Sequence, residues 1–236
     1  IRDRTTEATN QVFQFKINYD NVINGKLSKV DLATLKVGPE YGSITDSRDG
    51  NVYKTVKIGN QTWFAENLRY AGNIPQVSSQ QAWDAIWRNN TKQPAWAYYN
   101  NDPNNNAVYG KLYNWYAVNT GTLCPSGWHI PTDEEWTTLI NFLGGEGVAG
   151  GKMKSVTGWG SPNVEATNES GFTGLPGGLR SVNGEFFYPG SNGYWWSSSP
   201  GGTKNALSVG LDRSNKGIQR YNGFQAAGLS CRCLRD

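Results

Sequence analysis

One histidine and three cysteines carry most of the reactive chemistry available to this 236-residue chain: His129, Cys124, Cys231 and Cys233. Together they have the inventory of a Cys₃His zinc site, and the four-residue gap between Cys124 and His129 suits one. The paired Cys-x-x-Cys knuckles of such sites are absent, so no metal and no cofactor are expected. A bridge plus one spare thiol uses the same residues, as do three reduced buried thiols in a cytoplasmic protein. Cys231 and Cys233 are two apart, so on a strand they point the same way and crowd one another, which makes them structural. Any His-based triad must use His129. It lies in Gly127-Trp128-His129-Ile130-Pro131, where an imidazole hydrogen-bonds the backbone of a turn. The polar loop Asn100–Asn106 has Asp102 as its one carboxylate, too few for calcium. No catalytic residue is therefore assigned, and an enzyme is not expected.

A second group of residues is suited to contact rather than catalysis. Between Tyr194-Trp195-Trp196-Ser197-Ser198-Ser199 and Gly228-Leu229-Ser230-Cys231-Arg232-Cys233 runs a polar tract with sparse, regular core positions. Leu207, Val209 and Leu211 alternate onto one face of a strand, flanked by Ala206 and Ile218. Ser208, Gly210 and Asp212 are then expected to face solvent. Tyr221 and Phe224 flank Asn222-Gly223, a turn, and would be ring anchors there. The candidate ligand-binding residues are Pro200, Thr203, Lys204, Asn205, Ser208, Gly210, Asp212, Ser214, Asn215, Gln219, Tyr221, Asn222, Phe224 and Gln225. They share no chemistry, as befits a display surface over 199–226 on a rigid frame. Of Trp195 and Trp196, one is expected in the core and the other on the opposite face. An aromatic cage for a sugar, with Trp128, is the alternative.

Composition bounds these readings. Charged residues are 17% and aromatics 13%, while 25 Asn and 29 Gly make the chain polar without charge. That mixture resembles binding loops, where rings give area and small polar groups adapt. The net charge of +3 is spread out with no basic stripe, which leaves nucleic-acid binding unsupported. No apolar run approaches the roughly 20 residues of a membrane span. The chain opens on Ile1 with no Met and no signal peptide, as expected of a processed or trimmed form.

These residues must be positioned by a frame. Residues 1–42 differ from the rest and carry no Trp or Cys. Phe13, Phe15 and Ile17 alternate as in a strand, and 31–37 forms a short second element. The segment is expected to be an extended attachment or oligomerisation arm, or an extra strand on the main domain. Val52–Ile58, Gly59-Asn60 and Gln61–Phe64 make a hairpin. Ser78 or Ser79 caps a helix to about residue 89, with Trp83, Ile86 and Trp87 on one face. Leu112–Val118 is rich in rings and should be buried. Thr132 with Glu135 forms a capping box for a helix over 133–143, whose stripe is Trp136, Leu139, Ile140 and Leu143. Two helices among many short strands give an α+β class.

The motifs resemble a known family. Asp49-Gly50-Asn51-Val52-Tyr53-Lys54-Thr55-Val56-Lys57-Ile58-Gly59, Gln61-Thr62-Trp63 and Ala65-Glu66-Asn67-Leu68 are similar to the Fibrobacter succinogenes major paralogous domain. So are Tyr109–Val118, Cys124-Pro125-Ser126-Gly127-Trp128-His129-Ile130-Pro131-Thr132, Tyr194–Ser198 and Ser230–Cys233. The match runs over about residues 43–236. It implies a C-type-lectin-like fold of two helices and short antiparallel strands, more distantly shared with formylglycine-generating enzymes. It implies a Cys124–Cys233 disulfide with Cys231 free and buried. It also implies kinship with the variable proteins of diversity-generating retroelements, whose C-terminal codons are diversified. The Glu-Pro-Asn and Trp-Asn-Asp motifs of calcium-dependent lectins are absent. The expected function is an adhesin on an extracellular surface, a phage tail tip, pilus or cell, whose 43–236 domain binds a cell-surface protein or glycan receptor. Residues 1–42 would join neighbouring appendage subunits. The alternatives are a structural appendage subunit, or an enzyme related to the formylglycine generators.

Overall fold

A computed structural model describes residues 38–236. The expectations for the arm at 1–37, including the 13–17 strand and the 31–37 element, lie outside the described residues. In chain order the elements are β1 (Glu40–Thr45), β2 (Val52–Ile58), β3 (Gln61–Phe64), α1 (Gln80–Arg88), β4 (Trp96–Ala97) and α2 (Asn106–Tyr109). Then come β5 (Leu112–Tyr113), α3 (Trp115–Val118), β6 (Trp128–His129), α4 (Asp133–Phe142) and α5 (Glu146–Met153). The chain ends with β7 (Gly177–Arg180), β8 (Phe186–Pro189), β9 (Asn192–Pro200), β10 (Asn205–Asp212), β11 (Ile218–Phe224) and β12 (Leu234–Arg235). β1 spans the boundary placed at residue 42, so residues 40–42 belong to the first sheet.

The fold is mixed α+β with two five-stranded sheets, ordered β1-β2-β3-β12-β6 and β11-β10-β9-β7-β8, and a small β4-β5 pair. The expected pattern of two helices is corrected to five α-helices among the described residues, three of them of eight residues or more. The longest of the three helices that sequence reasoning missed is α5, Glu-Gly-Val-Ala-Gly-Gly-Lys-Met. Its glycines lower helix propensity, but close contacts require them. A Cβ on Gly150 would fall 2.1 Å from the Gly217 carbonyl oxygen, and one on Gly151 would fall 2.5 Å from that of Glu165. Nor are all strand pairs antiparallel, since β7 runs parallel to β9 through Gly178 and Gly193.

α1 and α4 start where their caps predict. Ser79 Oγ accepts from the Ala82 N–H, and Thr132 and Glu135 make the reciprocal capping box of α4. Trp136, Leu139 and Ile140 bury the α4 stripe against the second sheet. Burying each of these side chains contributes about 1.5–3 kcal/mol.

The central strand β9 is covered on both faces. Trp195 lies in a core with Trp63, Trp136, Phe172, Val209 and Leu211. Trp196 lies in another core with Tyr53, Phe64, Tyr113, Trp115 and Ala206. Both tryptophans are fully buried, each satisfying its indole N–H: Trp195 on Asn67 Oδ1 and Trp196 on the Tyr113 carbonyl. The expected contrast between them is one of opposite cores, not of core against solvent, and no sugar cage with Trp128 exists. Trp128 packs on Phe64 instead. The resemblance's disulfide is present: Cys124 and Cys233 are bonded with Cα atoms 5.8 Å apart, and Cys231 is free and buried.

Candidate functional site

The fourteen candidate contact residues are not one patch. They spread along the whole length of β10, whose ends Asn205 and Asp212 stand about 23 Å apart at about 3.3 Å per residue. The tract divides into an end at 200–205 and 222–225, a middle row, and a turn at 212–217.

The first end is open. β9 detours here: Trp196 pairs with Ser208, but Pro200 pairs with Ala206, so Ser197–Ser199 bulge toward α4. The Ser198 N–H donates to the Pro131 carbonyl, and Ser199 Oγ accepts from the Asp133 N–H. The loop that follows is tied by amides. Asn222 Nδ2 donates to the Gly201 carbonyl (3.1 Å), Asn205 Nδ2 to that of Asn222 (3.0 Å), and Gln225 Nε2 to that of Asn205 (3.1 Å). With the backbone held this way, Pro200, Thr203 and Lys204 are exposed. Phe224 is 47% exposed while its ring rests 4.7 Å from that of Trp87, and Lys204 Nζ stands 5.4 Å over the same indole. A groove of about 420 Å³ opens alongside, floored by Trp115 and Tyr116 and rimmed by Lys92, Thr120, Pro200 and Thr203.

The turn end is closed. Lys154 is fully buried and its ammonium donates to three backbone carbonyls: Val164 (2.8 Å), Asp212 (3.0 Å) and Asn215 (2.9 Å). Burial pulls its pKa down, against the pull of Asp212 and Glu165. Asp212 Oδ1 accepts from the Ser214 N–H and Oγ, and its Oδ2 accepts from Asn192 Nδ2. Burial pushes the Asp212 carboxyl up, but these donors, with Lys154, hold it below the usual value. Asn215 Oδ1 accepts from the Gly217 N–H. Ser214 and Asn215 are exposed, yet their polar atoms serve the turn.

Four expectations along the tract are corrected, at Ser208, Gly210, Gln225 and Asn222-Gly223. Ser208 is 2% exposed and Gly210 is buried, because this face of β10 is covered by Trp196 and by Tyr194 and Tyr221. A Cβ on Gly210 would fall 2.7 Å from the Tyr221 ring. Gln225 is 6% exposed, being the loop's clamp. Asn222-Gly223 is not a turn: it lies inside β11 and pairs with Leu207 and Ala206. Tyr221 and Phe224 therefore stand on opposite faces of one strand. Tyr221 belongs with Gln219 and Tyr194, and Phe224 belongs with the open end. Val209 and Leu211 are buried as expected, while Leu207 is only half-buried.

Sequence reasoning missed Trp87 as a partner of the open end, although its place on the α1 face was the available signal. It also missed Phe187, Tyr188 and Tyr194, whose rings continue the row from Tyr221. Phe186-Phe187-Tyr188-Pro189 lacks the alternation that would have marked one exposed face.

The reactive residues are placed otherwise. His129 does not bond turn backbone. Its Nδ1 lies 2.6 Å from Asp236 Oδ1, and its Nε2 lies 2.9 Å from both Glu135 carboxylate oxygens. Burial pulls its pKa down, but the hydrogen bonds with Asp236 and Glu135 carry it above the ordinary value. Burial pushes the Cys231 thiol well up, which suppresses the reactive thiolate. Asp102 Oδ1 accepts from the Asn104 N–H in its loop. Among the described residues no group of three or more His, Cys, Asp or Glu stands ready to hold a metal ion, and no helix is long and apolar enough to cross a membrane.

Compared with known proteins, the chain matches the family model of the Fibrobacter succinogenes major domain over residues 56–235. It therefore belongs to that family. No curated protein and no solved structure matches it.

Proposed function

We propose that this member of the Fibrobacter succinogenes major domain family is a non-enzymatic binding module, the receptor-contacting domain of an adhesin on an extracellular surface such as a phage tail tip, a pilus or a cell. The fold is taken as C-type-lectin-like, supported by the last strand, β12, returning to pair with β3. The observation that carries the reading is the open end: Phe224, half exposed on Trp87, with Pro200, Thr203 and Lys204 outward beside a groove. Exposed rings on a held backbone are the usual anchors of a protein interface. Because amides clamp this loop's carbonyls, the side chains at 200, 203 and 204 are free to differ, which suits a diversified surface. The Cys124–Cys233 bridge suits an oxidising, extracellular setting. The buried Cys231 and the carboxylate-bound His129 weigh against catalysis.

The experiment applies the fluorescent 236-residue chain to a panel of bacterial and animal cells. Attachment to some member is expected, falling about tenfold or more in Phe224→Ala and Lys204→Glu and holding in Ser214→Ala. Attachment untouched by the first two overturns the reading. A structural-subunit role is the second reading, favoured by β1: it pairs only with β2, so its outer edge is unpaired among the described residues. In that case Phe224→Ala would leave attachment intact, and a proline within β1 would abolish assembly.

A further inference from the structure

The opposite face of the second sheet carries a strip of rings that the receptor surface does not use. Tyr221 and Tyr194 lie 5.6 Å apart between ring centroids, Tyr194 and Tyr188 6.4 Å, and Tyr188 and Phe187 5.8 Å. Two local features build it. Gly210 lets Tyr194 and Tyr221 lie down over β10, where any side chain would collide with both. Tyr188 has φ 65°, in the left-handed region that a bulky residue seldom adopts. Strand alternation would send Phe187 and Tyr188 to opposite faces, and this backbone keeps their rings together. Strain of this kind persists where the surroundings impose it, and it gathers at binding sites. Phe187, Tyr188 and Tyr221 are 38%, 51% and 36% exposed.

At the Phe187 end the strip meets a pocket of about 480 Å³ lined by Gln80, Asn100, Asn101, Glu185, Phe186 and Phe187, with Gly184. Asn100 and Asn101 both have positive φ, 52° and 56°. Asn101 Nδ2 donates to the Ser78 carbonyl (2.8 Å), and its Oδ1 is buried with no hydrogen-bond partner. A ligand hydroxyl reaches this oxygen only if the Asn101 side chain shifts, which satisfies an unpaired acceptor while loosening the bond to Ser78.

We infer that strip and pocket together form a site for a neutral, linear oligosaccharide. Flat rings suit the C–H faces of sugars, and amides both donate to and accept from hydroxyls. The pocket's one charged group is the Glu185 carboxylate, and no cation lines it, which disfavours acidic chains. A peptide added as a strand is disfavoured, because Pro189 and the turned Tyr188 spoil the β8 edge. The inference does not depend on the receptor reading, since no open-end residue takes part.

The test records saturation-transfer NMR and calorimetry on the 236-residue chain with cellohexaose, chitohexaose and, as the acidic comparator, a galacturonate hexamer. At least one neutral hexamer binds, and the acidic one binds more weakly. Tyr188→Ala and Phe187→Leu each lower affinity about tenfold, the latter keeping apolar bulk without the flat face. Asn101→Gly, which tolerates the same φ, lowers it about fivefold. Failure of both neutral hexamers to bind at millimolar concentration overturns the inference. Equal binding of the acidic hexamer, or affinity indifferent to Phe187→Leu, does so as well.

Discussion

The two ends of β10 are held by different means. At Asp212 three carbonyls converge on a buried ammonium, and the side chains of Asp212, Ser214 and Asn215 close the turn on itself. At Asn205 the backbone is tied by three amides reaching across from Asn205, Asn222 and Gln225, and the intervening Thr203 and Lys204 have no such task. Exposure alone does not distinguish the ends, since Ser214, Asn215, Thr203 and Lys204 are all exposed. What distinguishes them is whether the side chain is spent on its own backbone. A side chain that carries no scaffold bond can be replaced without loosening the backbone it stands on.

Substitutions sharpen this contrast in order of size. Cys233→Ser opens a loop of sequence separation 109 and acts on the whole domain, so urea unfolding should lose about 4–5 kcal/mol. Lys154→Met leaves three carbonyls without their buried donor. About 3 kcal/mol is expected from the same measurement, with hydrogen exchange accelerated around 212–217 and not around 200–205. Equal acceleration at both ends would erase the distinction. Phe224→Ala acts at the open end: stability should change by less than about 1 kcal/mol, while the proposed attachment to cells falls about tenfold or more.

The smallest effect is a pH dependence. His129 bonds Glu135, the capping residue of α4, and the bulge of β9 leans on the start of that helix. Its folded-state pKa is raised above the ordinary value of 6.5, so the stabilisation is complete on the acid side of that value. It fades as pH climbs through the raised value. Solvent screening limits it to about 1 kcal/mol or less. The unfolding midpoint of the wild type should therefore fall between about pH 6 and 8 more steeply than that of His129→Gln. Parallel curves would remove the His129 clamp from the frame of the open end.

The frame was legible where local rules act alone. The capping box at Thr132 and Glu135, the Ser79 cap and the Gly59-Asn60 hairpin all sit where residue type and spacing place them. Tertiary contacts hid the rest. The glycines of α5 exist for the backbones of residues 217 and 165, which no local pattern reveals. Alternation along β10 predicted a solvent face, but two cores sandwich the sheet, so small residues at 208 and 210 mark cover rather than exposure. Asn222-Gly223 has turn chemistry, yet pairing with β10 keeps it extended. Phe224 and Lys204 are exposed as expected, but Phe224 lies on a strand and not beside a turn. The contacts of Trp87 with Phe224 and of Tyr194 with Tyr221 were not legible, because the partners lie far apart along the chain.

Thermal unfolding of two sets of variants of the 236-residue chain tests the contrast most directly: one with mixed side chains at 200, 203, 204 and 224, the other with mixed side chains at 212, 214 and 215. Most of the first set should melt within a few degrees of the wild type, about 1 kcal/mol, while most of the second should melt well below it. Equal losses in both sets, or greater losses in the first, would contradict the division of β10 into a free end and a bound one.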